Sequence, residues 1–138
     1  MPKIRASLKK NNKYYIPKHR FYELYHYCLQ YEDWLTEYNS IGQLSAINID
    51  GQVGSGPGDP TYTRAERRLE LREKMDEIRS AAAAADRSLA KYIVLAVTKE
   101  GASYQFLHNV HGMPCSRKMF YDRRRKFYWI MDKKRNNS

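Results

Sequence analysis

The chain is poor in cysteine and has no long apolar run. Only two of its 138 residues are cysteines, Cys28 and Cys115, and they stand far apart in unlike contexts. A disulfide framework is therefore excluded, and both thiols are expected to stay reduced inside a cell. No apolar stretch approaches the ~18 residues that cross a bilayer. The first residues also lack the apolar region of a secretory signal, so we expect a cytoplasmic protein with no membrane partner.

Acidic residues are nearly missing from both ends. Residues 3–20 hold seven bases and no acid, and residues 116–135 hold nine bases and two acids. The stretch between them is mildly acidic, so the net charge of +10 comes from the two ends. Charge concentrated in this way favours contact with a polyanion, and the basic stretches have no low-charge apolar face for a membrane surface. Nucleic acid is the expected partner.

Glycine and proline are scarce outside one segment. Five of the seven glycines and two of the five prolines fall between Gly42 and Pro60, which predicts a linker there and helices elsewhere. The predicted fold is all-α, a small helical bundle that ends in a helix-turn-helix. The predicted parts are a basic N-terminal arm (1–16), an N-terminal aromatic helix (17–39), a Gly/Pro-rich linker (40–62) and a helical DNA-binding domain (63–138).

Local signals predict where the later helices begin. "TRAE" at 63–66 has the pattern of a capping box, with Thr63 as the N-cap. Asp86 is a candidate cap for the apolar segment that follows, which we expect to be the central core helix. Five alanines at 81–85 suit either close helix packing or simple helix extension. Ser103 and Ser116 are expected to cap the last two helices.

The last two helices form the predicted helix-turn-helix, over 103–134. On a helical wheel the final helix has an apolar side, which holds Met119, Phe120, Phe127, Ile130 and Met131. Trp129 points outward and is expected to pack on the basic arm, a second subunit or RNA polymerase. The opposite side and its flanks supply the expected DNA contacts. Lys118, Tyr121, Asp122 and Arg125 are expected at base edges, Arg117, Arg123, Arg124 and Lys126 at phosphates, and Ser116 at the helix start.

A family resemblance points the same way. "MPCSRKMFYDRRRKFYWIM", residues 113–131, resembles the C-terminal helix of the RinA/ArpU-like late transcription activators of phages. "QYEDW" and "TRAE" are similar to earlier parts of that family, in the same order. The resemblance implies a sigma-region-4-like helix-turn-helix that binds promoter DNA in the bacterial cytoplasm. It also implies activation of packaging and structural genes beside the host RNA polymerase.

The sequence leaves other functions open. A small terminase subunit, which would form a homo-oligomeric ring through the alanine-rich helix, is the alternative; an adaptor that binds only RNA polymerase is a third. His108, His111 and Cys115 have a spacing that zinc would accept with a fourth ligand. Tyrosines on the first helix would suit single-stranded bases. Because no catalytic motif or acid cluster accompanies them, we expect no enzyme, metal or cofactor.

Overall fold

The computed structural model describes residues 10–47 and 60–136, with side chains left out of the description at 45–47. Within those ranges the chain forms helices and no strand, so the all-α prediction is confirmed. The predicted linker centre and the start of the arm lie outside the described residues. The six described helices are α1 (Lys18–Leu29), α2 (Tyr31–Ile47), α3 (Pro60–Ala85), α4 (Ala90–Thr98), α5 (Tyr104–His111) and α6 (Arg117–Asn136).

The described chain divides into two compact units. Unit 1 takes in the described residues up to Gln30 and those from Ile78 onward, and unit 2 takes in those within Tyr31–Glu77. The chain therefore leaves unit 1 at the end of α1 and returns to it within α3. Each unit has its own buried side chains.

Unit 1 is built on α1, α4 and α6, which pack together. α1 contributes Phe21 and Leu24, and α4 contributes Ile93 and Val97, all buried. The ring of Phe21 lies edge-on to that of Tyr128 in α6, with centroids 4.9 Å apart. Since partners early in α1 lie late in α6, as in the Arg20–Asp132 ion pair at 2.6 Å, the two helices run antiparallel.

The aromatic helix predicted over 17–39 is two helices. The structure breaks it at Gln30, whose amide donates to the carbonyl of Tyr27 at 3.2 Å, a tighter turn than the α-helical one. Glu32 and Asp33 then stand in the first turn of α2, where carboxylates favour a helix start. α2 continues to Ile47, so the beginning of the predicted linker is helical instead.

The capping box predicted at Thr63 is wrong, because α3 begins three residues earlier at Pro60. Proline suits a first helical position, since its missing N–H would have no partner there. Glu66 does not cap the helix start. Its carboxylate bonds the Tyr62 hydroxyl, and this hydrogen bond raises the pKa of Tyr62. The box residues thus lie inside the first two turns of α3.

Unit 2 is a hairpin of α2 and the first part of α3, held by cations of α3 on acceptors of α2. Arg67 donates from Nε and Nη2 to the two carboxylate oxygens of Glu37, at 2.7 and 3.0 Å. This hydrogen bonding lowers the pKa of Glu37. The Arg68 guanidinium stacks 4.1 Å from the centroid of Tyr38. It lies so close to Gly42 that a Cβ there would come within 2.7 Å of Nη2.

Asp86, predicted as the cap of α4, instead closes the turn before that helix, since the N-cap position of α4 is Leu89 and has no side-chain cap. Oδ1 of Asp86 accepts from the backbone amides of Ser88 and Leu89 at 3.0 and 3.2 Å. It also accepts from the Ser88 hydroxyl at 2.7 Å. Just before this turn, the alanines of α3 divide between two faces, with 81, 82 and 85 buried and 83 and 84 exposed. The turn therefore connects the buried C-terminal end of α3 to the start of α4.

Candidate nucleic-acid interface

A short connection joins α5 to α6, and the ends that it joins are fixed by hydrogen bonds. The Ser103 hydroxyl accepts from the amide of Phe106 at 3.1 Å, as its predicted role as the N-cap requires. α5 ends at Gly112, which has a φ of +69° that glycine adopts without strain. The amide of Met113 donates back to the Leu107 carbonyl at 3.1 Å. Five residues, 112–116, then connect α5 to α6.

The start of α6 is fixed by Ser116 and by Tyr104. The Ser116 hydroxyl accepts from the amide of Met119 at 3.1 Å, so Ser116 is the N-cap that was predicted. The Tyr104 hydroxyl donates to the Cys115 carbonyl at 2.6 Å, across the connection. The Arg117 guanidinium lies 5.1 Å from the centroid of the Tyr104 ring, which also lies 6.0 Å from that of Phe120. Together these contacts set the angle at which α6 leaves the connection.

The buried side of α6 differs from the wheel at three positions, one of which is Ile130, placed on the apolar side but only half-buried. Phe120, Phe127 and Met131 are buried as predicted. Met119 is 42% exposed, so its placement on the apolar side was wrong. Tyr128, which the wheel did not count, is 1% exposed. Burial of its ring raises the pKa of Tyr128 well above the ordinary value.

The nine residues predicted to contact DNA are exposed to different degrees. Ser116, Arg117 and Lys118 are exposed, whereas Tyr121, Asp122, Arg125 and Lys126 are half-buried. Lys118, Asp122, Arg125 and Trp129 follow one another at four-, three- and four-residue steps, which keeps them on one side of the helix. We call these four the outer face of α6. Arg125 is partly covered, because its Nε is buried with no hydrogen-bond partner among the described residues.

Arg123 departs most from the predicted arrangement. Its Nε donates to Oδ2 of Asp86 at 2.9 Å, and its Nη1 donates to Asp122 at 2.6 Å. The hydrogen bond to Asp86 raises the pKa of Arg123. Burial raises the pKa of Asp86, but hydrogen bonds from Ser88, Arg123 and two backbone amides outweigh it and leave that pKa below its ordinary value. Arg123 thus joins α6 to the turn before α4, and its charge is matched within the protein.

Arg124 is also drawn inward. Its guanidinium stacks on the ring of Tyr121, 4.8 Å from the centroid, and lies 5.6 Å from that of Phe120. Burial lowers the pKa of Arg124, although nearby tyrosines oppose the shift. The wheel missed this because it treats every arginine as solvated, whereas a long side chain can lie along its own helix over aromatic rings. Arg124 therefore packs rather than projects.

Trp129 packs on the basic arm, one of the three partners predicted for it. The ring of Tyr14 lies edge-on to the Trp129 ring, with centroids 5.5 Å apart. The ammonium groups of Lys13 and Lys133 lie over these rings, 5.0 Å from Tyr14 and 4.4 Å from Trp129. Ile16, just after in the chain, is 4% exposed. We call Lys13, Tyr14, Trp129 and Lys133 the basic–aromatic patch.

Positive charge is concentrated in the segments that form unit 1. Met1–Gln30 and Ile78–Ser138 contain twenty of the 25 basic residues and five of the 15 acidic ones, a formal net charge of +15. Tyr31–Glu77, the segment of unit 2, has a net charge of −5. The unit that contains α5 and α6 is therefore the one suited to a polyanion.

Neither a cluster of metal-ligating side chains nor a membrane-spanning helix is found among the described residues. Among residues 10–47 and 60–136 no three His, Cys, Asp or Glu side chains stand close enough together to hold a metal ion. His108, one of the three residues with zinc-like spacing, has its Nδ1 3.0 Å from the Met113 carbonyl. Within the same ranges, every helix is too short or too polar to cross a bilayer.

Comparison with protein-family models, with curated proteins and with solved structures found no match to this chain.

Proposed function

We propose that the protein binds duplex DNA in a sequence-specific manner through α5 and α6, acting as a helix-turn-helix. The observation that carries the proposal is the concentration of charge, with a formal net charge of +15 in the unit that contains α6. Concentrated positive charge attracts the phosphate backbone before contact and stabilises the complex after it. The capped, buttressed start of α6 supports the proposal, because a helix that reads base edges has to be held rigidly.

The proposed roles follow the contacts of each side chain. Lys118, Asp122 and Arg125 on the outer face, with Tyr121 at its edge, reach base edges. Exposed Arg117 and half-buried Lys126 bind phosphates, and Ser116 holds the helix start. We reassign Arg123 and Arg124 from phosphate contact to positioning α6, since one is paired with Asp86 and the other is stacked on Tyr121.

The biological role proposed is activation of phage late genes in concert with the host RNA polymerase. It rests on the resemblance of residues 113–131 to the RinA/ArpU-like activators and on the order of the earlier segments. Selecting the fragments of the encoding genome that the purified protein retains tests this role. A site upstream of late genes is the expected result, and retention of no fragment above background would contradict sequence-specific binding.

A variant series tests the residue roles on the selected site. Arg125→Ala should weaken binding to that site by about 1–3 kcal/mol and reduce the preference over mixed-sequence duplex. Arg117→Ala should weaken binding to both duplexes alike and lower the salt slope by about 1. Arg87→Ala, at an exposed base outside α6, is the control and should change neither. Equal losses on both duplexes for Arg125→Ala would remove it from the base-reading set.

The alternative, a ring-forming packaging component, differs in assembly. Its subunit contacts were expected from the alanines at 81–85, of which three are buried within this chain. Light scattering on the purified protein distinguishes the two functions. A monomer or dimer is expected for the activator, and a ring of many subunits would favour packaging.

A further inference from the structure

The geometry points to a second DNA contact on unit 1, the basic–aromatic patch, which would bind the sugar–phosphate backbone beside the groove that α6 enters. This inference rests on the proposed function. It adds a contact with the sugar–phosphate backbone at the far end of α6, beyond the phosphates assigned to Arg117 and Lys126. It is carried by three observations: the position of the patch on α6, its charge, and its fixed form.

The patch lies on the same side of α6 as the proposed base contacts. Trp129 stands eleven residues after Lys118, which is about three helical turns and therefore the same face. Lys133 follows one turn later. The fifteen residues from Lys118 to Lys133 span roughly 22 Å of helix, whereas the major groove is ~12 Å wide. A helix that enters the groove by its first turns therefore meets the flanking backbone near Trp129.

The arm packs against α6 at the level of Trp129. The ring of Tyr14 lies edge-on to that of Trp129, with centroids 5.5 Å apart, and both side chains are half-buried. We therefore expect residues of the arm to lie between α6 and the DNA at that level. Lys10 and Lys13, both exposed, are thus brought to the position where a phosphate strand passes.

The acid next to the patch in sequence is already paired with other side chains. Asp132, next to Lys133 in sequence, binds Arg20 Nε at 2.6 Å and also accepts from the Asn136 amide at 3.2 Å. The ammonium groups of Lys13 and Lys133 lie over ring faces, which orients them and leaves them able to bind phosphate oxygens. Both lysines are exposed, whereas Tyr14 and Trp129 are half-buried.

The patch is part of the folded unit, in contrast to an arm that orders only on binding. Ile16, two residues before α1, is buried, and the amide of Tyr14 donates to the Asn12 side chain at 2.8 Å. A contact that is already formed loses little conformational entropy when DNA arrives. The chemistry expected at the patch is therefore independent of sequence: two lysines on phosphates, held by two aromatic rings.

Salt dependence on a mixed-sequence duplex tests the inference. Lys13→Ala/Lys133→Ala should lower the slope of log K against log salt by about 2, since each phosphate contact contributes ~0.9. The ratio of affinities for the selected site and the mixed-sequence duplex should stay as in the wild type. The matched control is Arg87→Ala/Lys91→Ala, which also removes two exposed bases of unit 1, one of them over a tyrosine ring.

A second readout uses Trp129 directly. The chain has two tryptophans, and Trp34→Phe leaves Trp129 as the one reporter. Saturation with the mixed-sequence duplex should shield Trp129 from acrylamide quenching at least twofold. Tyr14→Ala, which releases the arm, should abolish most of that shielding and lower the salt slope by about 1.

The outcomes separate this inference from the proposed function. If the double variant has the slope of its control and quenching of Trp129 is unchanged by bound DNA, the patch lies outside the interface while the proposed function stands. If Arg117→Ala and Arg125→Ala are also without effect, the proposed interface on α6 fails as well. A lower slope with an unchanged affinity ratio establishes the patch as a phosphate contact.

Discussion

Removing the Asp86–Arg123 ion pair should destabilise unit 1 without weakening DNA binding. Asp86 has two functions that different substitutions separate. Asp86→Asn keeps a side-chain oxygen that can cap the turn before α4 but loses the charge, and Asp86→Ala loses both. Arg123→Ala removes the partner of Asp86 and, with it, the hydrogen bond from Arg123 to Asp122. Wild type, Asp86→Ala, Arg123→Ala and the Asp86→Ala/Arg123→Ala double variant form a double-mutant cycle.

The expected magnitudes follow from the geometry. Loss of the cap, which accepts two amides and the Ser88 hydroxyl, should cost about 1 kcal/mol. A charge-assisted hydrogen bond contributes up to ~3 kcal/mol when buried, but the side chain of Arg123 is 30% exposed and that of Asp86 is 15% exposed. We expect about 1 kcal/mol for the pair. Asp86→Ala should therefore cost about 2 kcal/mol, and Asp86→Asn about half of that.

The pH dependence has a definite sign. Because the pKa of Asp86 is below its ordinary value of 3.8 in the folded protein, the pair contributes stability that is complete above that value. The contribution is lost as pH falls through the folded pKa. The difference in unfolding free energy between wild type and Asp86→Asn should therefore be constant from pH 5 to 8 and should shrink below about pH 4.

Urea unfolding, followed by Trp129 fluorescence in a Trp34→Phe background, measures the cycle in unit 1. A coupling energy within about 0.3–0.5 kcal/mol of zero would refute the ion pair as a stabilising contact. DNA titration supplies the second arm, in which Arg123→Ala should keep the wild-type salt slope. A slope lowered by about 1 would mean that Arg123 does contact a phosphate, in spite of its pairing with Asp86.

Three further predictions concern single positions. Gly112→Ala should lower the free energy of unfolding by about 1–2 kcal/mol, measured by thermal unfolding, because alanine is strained at a φ of +69°. No atom lies within 4 Å of the added Cβ, so the cost would come from the backbone and not from a clash. A neutral result would mean that the connection adopts another conformation. Tyr128→Phe should be neutral or stabilise unit 1 by about 1 kcal/mol, because the buried hydroxyl has no hydrogen-bond partner among the described residues, and a marked loss of stability would contradict this. The Glu37 carboxyl should titrate below its ordinary pKa by NMR and return toward it in Arg67→Ala; an unchanged midpoint in that variant would exclude Arg67 as the cause.

Short-range signals predicted much of the fold. The caps at Ser103 and Ser116 depend on residues three positions away, so they were readable from the sequence, and the hydrogen bonds of Asp86 in the turn before α4 are equally local. The apolar spacing of α4 was equally local, and one face of this helix, with Ile93, Ala96 and Val97, is buried. The break at Gln30 was not readable, because neither glycine nor proline marks it and the residues on both sides favour a helix.

The candidate site was harder to predict, since its details depend on distant partners. The pairing of Arg123 with Asp86 joins positions 37 residues apart, and that of Trp129 with Tyr14 joins opposite ends of the chain. A helical wheel carries no information about either. It also ranks tyrosine as polar, which is why Tyr128 was missed although its ring fills the interior. What the wheel does predict is the outer face, because that depends on periodicity within one helix.

The antiparallel pairing of α1 with α6 has a consequence for biosynthesis. Phe21 and Tyr128, whose rings touch, are separated by more than a hundred positions, and a ribosome adds ~5–20 residues each second. The apolar side of α1 therefore stays unpacked for roughly 5–20 seconds, until α6 has been synthesised. The intervening hairpin, made of neighbours in sequence, has time to form first, and such long-range closure is intrinsically slow. Nascent chains would then need shielding by a chaperone during that interval, and slowing translation before α6 should increase aggregation.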